Sequence, residues 1–168
     1  MTIMDVLAGF AESGGIGVLR PGTTLPDVSR RLGPPENGEY FPSRRRKRGE
    51  PRNLRYGDVR LEVCCDIVRA VALSTGTGSV DVPGDAPGRM RTIASTVTIG
   101  QLREAFSAAG TRAEEGLWPE PDDQVTLVVP HDPADVHFTF RRADPDDPEG
   151  SGTTLHSAIA RDTQHVCR

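Results

Sequence analysis

A capped helix followed by alternating strand segments occurs twice along this chain, and that repetition limits the folds open to it more than any other feature. The first helix is "TTLPDVSRRLGPP", residues 23–35. Thr24 suits the N-cap, Asp27 three residues on completes a capping-box spacing, and Pro26 falls in the first turn, where a missing N–H does little harm. Leu25, Val28 and Leu32 form one apolar stripe; Gly33 can take a left-handed C-cap, and Pro34 and Pro35 forbid continuation. The second helix is "TIGQLREAFSAAG", residues 98–110. Thr98 and Gln101 repeat the capping box, Ile99, Leu102 and Phe106 repeat the stripe, and Gly110 repeats the stop.

Strand patterns follow each helix. Val59, Leu61 and Val63 alternate with Arg60, Glu62 and Cys64, as in a strand wet on one face. Ile67 to Leu73 returns as its partner across a turn at Cys65-Asp66. A short strand at 54–56 precedes them, with Tyr56-Gly57-Asp58 as a tight turn or bulge. In the second half Val125, Leu127 and Val129 alternate, then Val136, Phe138 and Phe140, and residues 155–160 make a weaker third strand. Thr24 and Thr98 are 74 residues apart, Val59 and Val136 77. The pattern predicts an α+β fold of two tandem helix–strands repeats, about 16–75 and 94–162, forming one antiparallel sheet with helices packed on one face. Residues 76–93, rich in Gly and Pro, read as the linker between them. An amphipathic helix at 3–12, with Ile3, Val6, Leu7 and Phe10 on one face, stands before the first repeat. The whole, 1–168, is expected to be a single domain around one core.

The charge pattern narrows the function. Residues 1–75 hold 12 Lys and Arg against 9 Asp and Glu, while residues 76–168 hold 8 against 15. The acidic second half argues against a broad phosphate-binding surface. The run "RRRKR", Arg44 to Arg48, reads as an exposed loop, or as a patch for an acidic partner or for nucleic acid, with Tyr40 and Phe41 just before it. Nineteen of the twenty basic residues are arginine, a usage typical of a GC-rich, bacterial coding genome. No phosphate loop and no nucleophile elbow occurs in the sequence. Cys64 or Cys65 with His137 or His156 could form a thiol site, but an outward histidine on a strand is more often a surface residue. "DPDDPEG" at 144–150 lacks calcium-loop spacing, and Cys64, Cys65, His165 and Cys167 lack a zinc spacing. No cofactor, metal or catalytic residue is therefore assigned. With no apolar span, no basic leader and three cysteines read as reduced thiols, the expected location is the cytoplasm.

"GTTLPDVSRRLGPPE", then "LRYGDVRLEV" and "VRAVALS", resembles the SmpA/OmlA-like domain and the tandem repeat of the beta-lactamase inhibitor protein family. The likeness covers residues 19–73, and only the helix and strand pattern of 94–160. It implies helices over each portion of sheet and a concave sheet face that grips another protein. Both relatives are exported, one as a lipoprotein, and the chain shows neither a signal nor a lipobox cysteine near its start. Inhibition of beta-lactamase itself is not expected. The expectation is a non-enzymatic inhibitor or immunity-type protein that blocks a protein target, possible targets being a toxin or an enzyme, by occlusion. The alternative is a nucleic-acid-binding or regulatory accessory protein using the Arg44–Arg48 loop. Tyr56, Arg60 and Glu62 on or beside the wet sheet face, Trp118 in its acidic loop, and Arg45 and Arg46 are the candidate partner contacts. Trp118 either contacts a partner or folds back on the core.

Overall fold

The computed structural model describes residues 1–36, 51–84, 86–116, 123–132, 134–142 and 152–164. Three helices are present: α1 (Ile3–Ser13), α2 (Leu25–Leu32) and α3 (Ile99–Ala109). Each begins at a threonine whose side chain accepts from the backbone N–H three residues on. In α1 and α3 the third residue, Asp5 or Gln101, bonds back to the cap, completing the box. In α2 the return bond is different: the Thr24 hydroxyl donates to the Asp27 carboxylate at 2.7 Å. That bond, and the one from Arg30, hold the exposed Asp27 carboxyl below its usual range. Gly14 and Gly110 close α1 and α3 in the left-handed conformation, but Gly33 ends α2 at φ 82°, ψ −169° instead.

The strands are β1 (Arg52–Tyr56), β2 (Val59–Cys64), β3 (Ile67–Ser74), β4 (Ser79–Pro83), β5 (Met90–Ala94), β6 (Glu114–Glu115), β7 (Gln124–Val129), β8 (Val136–Arg141) and β9 (Thr154–Arg161). Seven form one antiparallel sheet in the order β1-β2-β3-β9-β8-β7-β6. The fold is thus α+β with a large antiparallel sheet. β3 and β9 join its halves, with Ala70 to Ser74 opposite Arg161 to Ser157. The inward parity is the apolar one: Val59, Leu61, Val63, Val136, Phe138 and Phe140 are fully buried. Phe138 meets two helices at once, with the Phe10 ring of α1 at 6.2 Å and the Phe106 ring of α3 at 5.3 Å, both edge-on. Residues of both halves share one core cluster. Among the described residues no helix is long and apolar enough to cross a membrane.

The segment expected to be an irregular linker contains a second sheet, the hairpin β4–β5. Val80 and Val82 alternate inward and are buried, so the period-two signal was present between the glycines that masked it. The hairpin docks on the β1–β2 turn: the Asp58 N–H donates to the Asp81 carbonyl at 2.7 Å, and the Asp81 N–H to the Asp58 carboxylate at 2.8 Å. Gly57 makes this approach possible. Its φ is +62°, and a Cβ there would lie 2.3 Å from the Asp81 carbonyl oxygen. Gly57→Ala is therefore expected to cost about 2–3 kcal/mol in urea unfolding. Gly78→Ala, also at positive φ but facing open space, should lose only the conformational part, about 1 kcal/mol. Equal losses would show that the hairpin does not seat so closely.

Candidate partner-binding surface

The outer face of the sheet is set by the parity opposite the core, and cross-strand register makes it continuous. Starting at β1, Arg55 pairs Arg60, Arg60 pairs Ala72, Ala72 pairs Ile159, Ile159 pairs His137, and His137 pairs Val128. One row of outward side chains therefore crosses from β1 to β7. Ala72 and Ile159 stand at its middle, followed by His137 and Val128, all four partly exposed. A parallel row holds Ser74, Ser157, Thr139 and Thr126. The last two share a hydroxyl–hydroxyl hydrogen bond at 3.1 Å. Short side chains keep this floor low.

Over β7, β8 and β9 the face becomes an open groove of about 950 Å³. Thr126, His137, Thr139, Ile159 and Arg161 form its floor. The β7–β8 connection raises one wall with Pro130, His131, Asp132 and Asp135; Thr163 and Gln164, after β9, raise another. The charges are arranged unequally. Arg161 is held by Glu62 at 3.2 Å, and Glu62 also faces Arg69 at 3.6 Å. Asp132 and Asp135 are exposed, and among the described residues no cation pairs with either. Asp135 accepts from the His131 backbone N–H at 3.1 Å, which fixes the wall but leaves its charge in place. One wall of the groove is thus acidic, while Arg161 at the end of β9, with Arg69 of β3 beyond it, carries guanidinium charge on the other side.

The structure sorts the residues expected from sequence. Arg60 is exposed on the outer face, in the row described above. Glu62 is on the same face, but its carboxylate is committed to Arg161 and Arg69. Tyr56 corrects the expectation: it is 1% exposed and faces the core. Leu54, Arg55 and Tyr56 alternate, so Tyr56 shares the inward parity of Leu54 and its hydroxyl donates to the Gly33 carbonyl at 3.2 Å. Burial pushes its phenol up, opposed by a hydrogen bond with Ser29. Trp118, Arg45 and Arg46 lie outside the described residues. Cys64 has the outward parity expected of it but is 1% exposed and disulfide-bonded, contrary to a reduced thiol. Cys65 is not its partner, since the two sulfurs are 3.5 Å apart. A disulfide sulfur cannot serve as the thiolate of a Cys–His pair. Among the described residues no group of three or more His, Cys, Asp or Glu could hold a metal ion.

Sequence reasoning passed over Ile159, Asp132, Asp135 and Arg161. The alternation in "VHFTF" did set His137 outward, but nothing local linked it to Ile159, 22 residues on. Against family models, curated proteins and solved structures, the chain matches none.

Proposed function

We propose that the chain is a non-enzymatic protein-binding protein, an inhibitor or immunity-type protein that covers a site on its target with the outer face of its sheet. The observation that carries this reading is the unbroken outward row from Arg55 to Val128, low and aliphatic at its centre and opening into the groove over β7 to β9. A floor on which Thr126 and Thr139 stay short beside a partly exposed Ile159 admits a protruding segment of another protein, and burying Ile159 supplies affinity in proportion to the area covered. The resemblance to the tandem inhibitor repeat points to the same face. The sheet order supports a duplication: β1-β2-β3 and β9-β8-β7 are antiparallel meanders meeting at β3 and β9. Each helix cap bridges the start of the third strand of its own unit, Thr24 to Ile67 and Thr98 to Thr154. The shared contacts of Phe10 and Phe106 with Phe138 support helices on one face. At this groove a nucleic acid finds no support, because Asp132 and Asp135 in its wall would repel phosphates; the Arg44–Arg48 loop of the alternative reading lies outside the described residues.

The test is capture from a lysate of the source cells by the tagged chain and its Ile159→Arg variant. The expected result is one stoichiometric protein partner that survives nuclease and high salt with the native chain. The variant, which forces a charge onto the floor, should bind it about 100-fold more weakly. Recovery of nucleic acid alone, of nothing, or of a partner held equally by the variant would overturn the reading.

A further inference from the structure

We infer that the groove over β7 to β9 receives a protruding loop of the partner that carries an arginine or lysine, its charged head set between Asp132 and Asp135. The inference rests on the protein-binding reading above and names the chemistry of the occupant. Three features of the groove support it. Its volume, about 950 Å³, matches a few side chains of an inserted segment rather than a flat domain face. Its wall is acidic: Asp132 and Asp135 are exposed and no cation among the described residues pairs with them, while Arg161, on the floor, has a counter-charge in Glu62. The wall also offers Pro130 and the floor Ile159. Those apolar surfaces fit the methylene stem of a long basic side chain, which buries its stem while its head stays with a carboxylate.

An acidic side chain in the same place would meet like charge at Asp132 and Asp135, and a neutral one would leave the wall unused. The unequal charge across the groove also gives the inserted loop a direction. Its basic residue faces the β7–β8 connection, away from Arg161 at the end of β9 and Arg69 on β3 beyond it. Such complementarity chiefly raises the rate of association and rejects wrong partners. The association rate is therefore expected to fall with salt, while burial of Ile159 keeps the formed complex together.

A phage-displayed library of disulfide-closed loops, selected on the full chain and counter-selected on Ile159→Arg, tests the inference without knowledge of the natural partner. The expected consensus holds Arg or Lys at one fixed position. Clones carrying it should bind the Asp132→Asn/Asp135→Asn double variant about 10-fold more weakly, chiefly through the association rate. Asparagine at 135 keeps an oxygen for the His131 N–H, and circular dichroism checks that the variant folds. Binding to Glu104→Gln, which removes an exposed acidic charge on α3 away from the outer sheet face, should be unchanged. A consensus without a basic residue, or one indifferent to the double variant, overturns the basic-loop inference and leaves the protein-binding reading standing. Failure to recover any loop that depends on Ile159, from a chain that still captures its partner from lysate, overturns the groove as the docking site.

Discussion

Phe138→Ala is expected to lose about 3–5 kcal/mol of unfolding free energy, more than any other single substitution considered for this chain. Phe138 is fully buried on β8, and its cross-strand neighbours are Leu127 and Ala158. Ala158 is too short to fill the space the ring would leave, so the cavity persists and its cost adds to the lost transfer energy. The substitution also removes two edge-on ring pairs, with Phe10 at 73° and with Phe106 at 64°. Each such pair contributes about 0.5–1.5 kcal/mol beyond area burial. Urea unfolding measures the total, and double-mutant cycles using Phe10→Leu and Phe106→Leu against Phe138→Leu separate the pairs. Coupling in both cycles is the result expected if α1 and α3 seat on one ring. Coupling in one alone would detach the other helix from this face, and a total loss below about 1.5 kcal/mol would contradict a core assembled around Phe138.

Local chemistry made much of this fold legible. Thr24, Thr98, Gly14 and Gly110 mark helix ends through bonds made within a few residues, and those ends fell where the spacing placed them. Alternation in Val59 to Val63 and in Val136 to Phe140 gave the correct inward faces, because each strand has one dry and one wet side. Tyr56 was misjudged where a strand meets a turn: reading the break at Tyr56 rather than at Gly57 reversed its side. The β4–β5 hairpin escaped because an isolated two-stranded ribbon owes its stability to what it docks on. That support comes from the Asp58 and Asp81 bonds, between residues 23 apart. Cys64 had the parity that alternation gave it but is buried, and its disulfide is not written in alternation. The groove was invisible for a related reason. β9, last in sequence, inserts at the centre of the sheet between β3 and β8, so Ile159 and Arg161 meet His137 and Glu62 only through the topology. Its wall at 130–135 carries no period and no motif.

Truncation after residue 75 is expected to abolish cooperative folding, because the cut passes through the shared core. The remaining piece would keep α1, α2 and β1 to β3 but lose β9, which pairs with β3 along five residues. Val71 and Leu73, both fully buried, would lose Ala160 and Ala158 opposite them, and β3 would become an unpaired edge. Phe10 would lose the Phe138 ring, and the hydrogen bond from the Thr75 hydroxyl to the Leu155 carbonyl, 2.6 Å and buried, would have no acceptor. A piece of about this size buries a smaller fraction of its surface than the intact chain and is marginal even with a complete core. The expected observation is therefore a broad, non-cooperative urea profile for residues 1–75 and a single cooperative transition for the whole chain. Restoring residues 76–168 as a separate polypeptide should recover cooperativity if the halves complement each other across β3 and β9. A sharp two-state transition in the first half alone would instead make each repeat a domain in its own right. The outward row from Arg55 to Val128 would then cross two domains rather than the face of one.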